Sequence, residues 1–336
     1  MDTKLLLKTY ATPYKYGKAV LEGSGIKGAF DELAVDGPFL FRHQGKFFML
    51  YIGFDGTGYQ SALATSQDLL NWEHYGKVLK PSSEKGKWDS LNVACPCILR
   101  DVNMYGSYEL QKYQGKYWMI YHSYPGEGYE TGPAEMGLAW TEDENLLDWH
   151  RLEDPVYSWR EGADWEKAGL YKACFFQHED LFYMFYNAKN EESHWVEQTG
   201  VATSKDLLHW ERYEGNPVLR VKPDTWKSKF VSDPNIVKDG DNWLMFFFGF
   251  DYKHAQDGIA CSKDLFHWEV AEEPLLRYGA EGEIDSTHAH KASIITVGKR
   301  LYHFYCACRP WKEGDKTKNF GGKEYRCISV ACSEPF

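Results

Sequence analysis

One eight-residue phrase returns along this chain, and its recurrence constrains the architecture more than anything else in the sequence. Ser66-Gln67-Asp68-Leu69-Leu70-Asn71-Trp72-Glu73 comes back as Ser204-Lys205-Asp206-Leu207-Leu208-His209-Trp210-Glu211, and again as Ser262-Lys263-Asp264-Leu265-Phe266-His267-Trp268-Glu269. A looser copy runs from Thr141 through Asp143 and Leu147 to Trp149. Repeats of this size mark solenoids or propellers, in which each unit buries its apolar face by stacking on the next. An Asp present in every full copy points to a turn or cap rather than to chemistry.

A second repeated element precedes each phrase: an apolar strand, a turn and an aromatic strand. The turns are Gln44-Gly45-Lys46, Gln114-Gly115-Lys116, Glu179-Asp180, Asp239-Gly240-Asp241 and Val297-Gly298-Lys299. Such runs around Gly and Asp are hairpin signals. Five copies of a four-stranded antiparallel unit predict an all-β, five-bladed β-propeller occupying 1–336 as one domain. The blades fall near 30–82, 88–158, 165–220, 226–277 and 284–336. The fifth stops short of an outer strand, and the N-terminal segment 4–10 is expected to supply it as a strand and close the ring, leaving no exposed edge.

Composition narrows the partners. No stretch approaches the roughly 18 apolar residues of a membrane span. A net charge of −11 argues against a nucleic-acid backbone as ligand. The eight cysteines include no Cys-x-x-Cys pair of zinc spacing and read as buried thiols. With no visible signal peptide, the expected location is cytoplasmic. The sequence is silent on oligomeric state.

A finer register locates the candidate chemistry. An aromatic or aliphatic residue followed by a mostly acidic one stands eight positions before a Pro or Ala in every unit: Phe30-Asp31 to Pro38, Trp88-Asp89 to Pro96, Trp165-Glu166 to Ala173, Trp226-Lys227 to Pro234 and Ile284-Asp285 to Ala292. Two residues before these anchors stand Asp36, Ala94, Tyr171, Ser232 and His290; one residue before stand Gly37, Cys95, Lys172, Asp233 and Lys291. Positions that differ between units and are polar are the functional candidates. Charges without partners are costly to bury, so Asp36, Asp233, His290, Lys172 and Lys291, with Tyr171 and Ser232, are expected to converge on one pocket floor.

Asp36-Gly37-Pro38 and Ser232-Asp233-Pro234, with the aromatic hairpins that follow, resemble the five-bladed β-propeller glycosidases, the superfamily of families 32, 43, 62, 117 and 130. The resemblance covers essentially the whole chain. It implies an oligosaccharide or glycoside substrate, Asp36 as general base or nucleophile, and Asp233 as the carboxylate that sets pKa and orientation. The Glu-x-Pro that the arabinanase-like family uses for its acid is absent here. His290 takes that role by similarity to family 117, with His288 and Glu283 as alternatives. Such a histidine, flanked by carboxylates, is expected to have its pKa raised, and opposite sides of a channel favour the wider carboxylate–donor gap of inversion.

Around this centre, Gly53-Phe54-Asp55-Gly56 and Gly249-Phe250-Asp251-Tyr252 are candidates for a stacking aromatic plus an acid. Asp89 and Glu166 are the repeated acids most apt to reach the pocket, and Arg309 is a candidate for binding a carboxylate or phosphate. No cofactor is expected; the resemblance allows a structural calcium or other divalent ion on the axis, with no ligand cluster spaced in the sequence. The expected activity is exo-acting hydrolysis of short oligosaccharides. A phosphate-dependent phosphorylase and a non-catalytic sugar-binding propeller are the alternatives.

Overall fold

The structure, a computed structural model, describes residues 3–336. Each repeated unit folds as an antiparallel meander. In the first, Ala34–His43, Lys46–Phe54, Tyr59–Ser66 and Glu73–Lys77 pair in sequence. The second is Ala94–Ile98, Lys116–Ser123, Glu135–Thr141 and His150–Arg151. The third is Leu170–His178, Leu181–Lys189, Glu197–Ser204 and Glu211–Arg212. The fourth is Phe230–Asp239, Asn242–Phe250, Ala255–Ser262 and Glu269–Val270. The fifth has His288–Val297, Arg300–Pro310 and Glu324–Cys332. Gln44-Gly45 and Gln114-Gly115 have positive φ at both central positions, as the tightest hairpin turns require.

The repeated phrase is a turn. Asp68 accepts from the backbone N–H groups of Leu70 and Asn71, Ser66 accepts from that of Leu69, and the Trp72 indole donates to the Leu69 carbonyl. Leu69, Leu207 and Leu265 share a left-handed φ of 68°, 69° and 71°. The Trp ring at the end of the phrase packs on a neighbouring unit: Trp268 meets Phe185 edge-on, and Trp72 of the first unit meets Phe304 of the fifth. The first strands also neighbour one another in order, and His288–Val297 packs back against Ala34–His43.

The N-terminal segment differs from expectation. Residues Thr3–Thr9 form a helix, not a strand. The Leu5-Leu6-Leu7 run is too short for periodicity to distinguish the two. Leu6 and Tyr10, four apart on one helical face, are buried against Val237, Leu244, Phe246 and Ile259. The outer pairing of the fifth unit comes from further along, where Tyr14–Lys15 and Leu21–Glu22 pair antiparallel with Glu324–Cys332.

A second motif confirms the role of Tyr14–Lys15. The acid of each aromatic–acid pair binds a tyrosine hydroxyl from the second strand and a cation from the outer strand. Asp89 takes Tyr121 and Arg151, Glu166 takes Tyr186 and Arg212, and Asp285 takes Tyr305 and Lys15. Lys15 thus stands where an outer-strand arginine stands in other units. The fourth unit replaces the acid with Lys227 and the tyrosine with Phe247, and Lys227 donates to the Ala271 carbonyl. Trp165 stacks on Tyr186, and a Cβ on Gly200 would lie 2.6 Å from one ring and 2.7 Å from the other.

All eight cysteines are buried and unpaired. Among the described residues no helix is long and apolar enough to cross a membrane. Because the Trp165–Tyr186 stack leaves no room at Gly200, Gly200→Ala should cost about 1–3 kcal/mol by overpacking. A denaturant midpoint equal to the parent's would contradict this account of the repeat.

Candidate active site

Each first strand carries a β-bulge at the same place. The register slips between Asp36 and Phe39, Ala94 and Cys97, Tyr171 and Cys174, Ser232 and Asn235, and His290 and Ser293. A bulge bends its strand and re-aims the side chains beside it. The residue before the anchor is left-handed in four units: Gly37 at φ 55°, Lys172 at 52°, Asp233 at 53° and Lys291 at 68°. That conformation costs an L-residue roughly 1–2 kcal/mol, and such strain gathers at functional sites. As a result Pro38, Pro96, Ala173, Pro234 and Ala292 surround one narrow axial cavity of about 40 Å³, with Lys172, Asp233 and Lys291 at its lip.

Above the lip opens a cavity of about 440 Å³. Its charged lining is balanced: Glu130, Glu197, Asp233 and Glu324 against Lys172, Lys189, Lys291 and Arg326, with His288 and His290 on one side and Trp195 and Phe230 on another. Asp36 lies beneath, buried, accepting from Lys291 Nζ at 2.6 Å and Arg326 Nη1 at 2.7 Å, while its other oxygen accepts from the Gly37 N–H. Burial alone would raise its pKa, but Lys291, then Arg326 and Lys172, outweigh burial and hold it well below the ordinary range.

The two glutamates on Lys189 are driven apart. Lys189 Nζ stands 2.9 Å from Glu130 and 3.4 Å from Glu197. Burial raises the Glu197 pKa, and Lys189 does not reverse it because the Glu130 charge opposes proton loss. Burial acts on Glu130 too, but Lys189 and then Lys291 pull its pKa below the usual value. Asp233 is also raised, burial outweighing Lys172 and Lys291; its Oδ1 accepts from Asn187 Nδ2 at 2.6 Å. Two carboxyls that keep their protons thus face one that gives its proton up easily, the separation acid–base chemistry needs.

Of the residues singled out in the sequence, the structure brings Asp36, Asp233, His290, His288, Tyr171, Lys172 and Lys291 to this centre, and Ser232 donates to Glu197 at 2.9 Å. The expected protonation of His290 is overturned. Burial, then Lys291 and Arg326, push its pKa well down, because its neighbours are cations rather than carboxylates. Its Nδ1 lies 3.2 Å from the Cys306 carbonyl, which only an N–H can satisfy. His288 is lowered to about 4, chiefly by burial.

Other candidates stand elsewhere. Glu283 is exposed and caps a turn by accepting from the Ala280 N–H. Asp55 and Asp251 accept from backbone N–H groups two and three residues on, holding their loops. Phe54 packs against Tyr59 and Tyr129 behind the cavity wall. Asp89 and Glu166 are consumed by the tyrosine–arginine motif between strands. Arg309 makes a two-pronged pair with Asp315, both contacts at 2.7 Å, and is not free to take a phosphate. An axial calcium fits poorly, since the ammonium-bearing Lys172 and Lys291 stand at the mouth of the axis. The donor set nearest to a metal constellation among the described residues is soft: His290 with Cys306 and Cys308.

Glu130, Glu197, Lys189, Trp195, Glu324 and Arg326 are cavity residues that strand-one register does not reach. The same superposition extended to later strands reaches three of them. Three residues before the third-strand position opposite Tyr51, Tyr121, Tyr186, Phe247 and Tyr305 stand Tyr59, Ala134, Glu197, Ala255 and Arg326. Three residues after those aromatics stand Phe54, Tyr124, Lys189, Phe250 and Cys308.

Comparison with known proteins agrees with this geometry. Residues 107–307 match the family described as "Glycosyl hydrolases family 32 N-terminal domain". This protein belongs to that family. The match places it among the β-propeller glycosidases. A solved structure described as "Glycoside hydrolase" is 32% identical, with TM-score 0.81, over 99% of this chain and 95% of that one. A second solved structure, a BT0996 complex with RGII, has the same identity, TM-score and coverage. A thermostable family-43 glycoside hydrolase at 18% identity and TM-score 0.65 shares the fold. A β-1,2-mannobiose phosphorylase of Thermoanaerobacter sp. (strain X514) is 29% identical over 140 residues, which are 36% of this glycosidase and 45% of that relative. The match thus spans less than half the length of that curated relative.

Asp36→Asn should leave Lys291 and Arg326 short of their buried counter-charge and cost about 3–5 kcal/mol at neutral pH. The folded pKa of Asp36 is depressed, so its stabilisation is complete above the unfolded value near pH 4 and disappears as pH falls through the folded value. Melting curves of parent and variant should therefore converge in acid; a gap that stays constant with pH would contradict the ion-pair account.

Proposed function

We propose that the protein is an exo-acting glycoside hydrolase whose chemistry is carried by Glu197 and Glu130. The supporting observation is that these buried carboxyls share the Lys189 ammonium yet have pKa values displaced in opposite directions. Glu197 holds the proton that the leaving oxygen needs. Glu130 is the anion that attacks the anomeric carbon. The glycosidic C–O bond breaks as the Glu130 ester forms and the Glu197 proton passes to the departing oxygen. Water, giving its proton to Glu197, then frees the sugar and regenerates Glu130. Asp36 acts as a positioning residue, its low pKa making it a poor base, and Asp233 supports the donor side.

Both glutamates reach one ammonium, so the pair is closer than the roughly 6.5–9.5 Å that leaves room for an inverting water. Retention of configuration replaces the inversion that the strand positions alone suggest. We further infer one ring of five blades across the sequence, closed through Tyr14–Lys15 and Leu21–Glu22, with support from the packing of the first unit on the fifth. A cavity narrowing to the Asp36 floor admits the end of a saccharide rather than its middle. Trp195 and Phe230 offer aromatic faces to a sugar ring. The RGII named with a 32%-identical neighbour is the first substrate to test.

Phosphorolysis has the relatedness to a mannobiose phosphorylase in its favour. The cavity's cations, however, are committed: Lys189 to Glu130 and Glu197, Lys291 to Asp36, Arg326 to Asp36 and Glu324. Inorganic phosphate would need cations free to receive it, so hydrolysis is favoured.

Glu130→Gln and Glu197→Gln should each lower kcat by about 10²–10⁴ on natural oligosaccharides. Turnover should fall as pH rises through the raised pKa of Glu197 and as pH drops through the lowered pKa of Glu130. Glu197→Gln should lose the alkaline limb and recover on aryl glycosides with good leaving groups. Parent-like kcat in both variants would remove the pair from the mechanism, and the anomer first seen by NMR decides retention against inversion.

A further inference from the structure

One wall of the cavity is built unlike the others. In the ladder of His288–Val297 with Arg300–Pro310, His288 lies opposite Cys308 and His290 opposite Cys306. Side chains two apart on a strand, and directly opposite residues, share a face, so two imidazoles and two thiols stand together. The His290, Cys306 and Cys308 ligand atoms all lie within 4.8 Å of one another, and the two thiols are hydrogen-bonded to each other. The buried Cys97 and Cys174 also interact, but they have no imidazole in such a group. In the third unit the positions equivalent to Cys306 and Cys308 are Asn187 and Lys189, both of which serve the site.

We propose that His290, Cys306 and Cys308 form a binding site for a thiophilic divalent cation, zinc in the first instance, with its fourth position open to the cavity. Zinc takes Cys and His ligands in a tetrahedron with Zn–S near 2.3 Å and Zn–N near 2.0–2.1 Å, and a three-ligand site leaves one position for water or a substrate oxygen. The three ligand atoms need close by only about 1 Å to reach that geometry. His290 lines the cavity, which supplies the entry path and the open position. His288, its Nδ1 accepting from the Ala255 N–H, stands next in line.

Binding is balanced in charge. Each thiol gives up its proton to solvent as its sulfur bonds the metal, so one zinc releases two protons and the filled site is neutral. That neutrality lets the cation sit near Lys291 and Arg326. Thiolate ligands select soft metals over the oxygen-seeking calcium or magnesium. The site stands on its own donors and does not depend on the hydrolytic assignment of Glu130 and Glu197.

Co²⁺ serves as the probe, titrated into the reduced full-length protein after chelator treatment. The expected result is a thiolate-to-cobalt charge-transfer absorption that saturates at one equivalent and is displaced by zinc, with two protons released per zinc. Cys308→Ser should lose most of this band, and His290→Gln should weaken binding at least tenfold. No charge-transfer band at saturating cobalt in the parent protein would overturn the site without recourse to any variant, as would a band unchanged by Cys308→Ser. Turnover of the metal-stripped enzyme reports separately on the glycosidase.

Discussion

The backbone bulge in each first strand is the constraint on which the site depends. A regular strand would send Lys172, Asp233 and Lys291 into the faces between units, where tightly packed aromatics leave no room for charge. The bulge turns these side chains toward the axis at the cost of a left-handed residue. Lys172 and Lys291 have no side-chain reason to tolerate that conformation, so strain of roughly 1–2 kcal/mol at each is borne by the surrounding sheet. The flanking rings, the glycines that admit them and the acid–tyrosine–cation motif supply the rigidity that holds it.

Once charges converge on a water-poor axis, they must neutralise one another. Asp36 does so completely, and the resulting ion pairs orient Lys291 and Arg326 at the cavity floor. Lys189 does so only in part, because one ammonium serves two carboxylates. The incomplete balance is what separates Glu130 from Glu197. Burial penalises both anions, yet only one can be favoured by the shared cation, and the other keeps its proton. Functional asymmetry thus follows from an electrostatic shortage and needs no special chemistry at either carboxyl.

The repeat was legible because turns and inter-unit packing are local: the Asp–Leu–x–x–Trp phrase and the Gln–Gly hairpins state their conformations within a few residues. The N-terminal helix was not, since Leu5-Leu6-Leu7 suits strand and helix alike and only its docking on the fourth and fifth units decides. For the site, the strand-one register located Asp36, Lys172, Asp233, His290 and Lys291 because an internal repeat allows one unit to be read against another. Their protonation was less accessible. Whether His290 faces carboxylates or cations depends on Arg326, nearly forty residues away on another strand. Glu197 and Lys189 carry the same kind of signal on later strands, whereas Glu130 and Trp195 lie outside the repeat, where no register exists.

The account's central claim is that sugar binds over the Lys189 carboxylate pair. The most direct measurement is a crystal structure with a non-hydrolysable sugar analogue bound. The account predicts the ring against Trp195 or Phe230, with its anomeric carbon beside Glu130 and its leaving-group oxygen within hydrogen-bond reach of Glu197. A ring seated instead with its anomeric carbon on Asp36 or His290, and both glutamates out of reach, would contradict it.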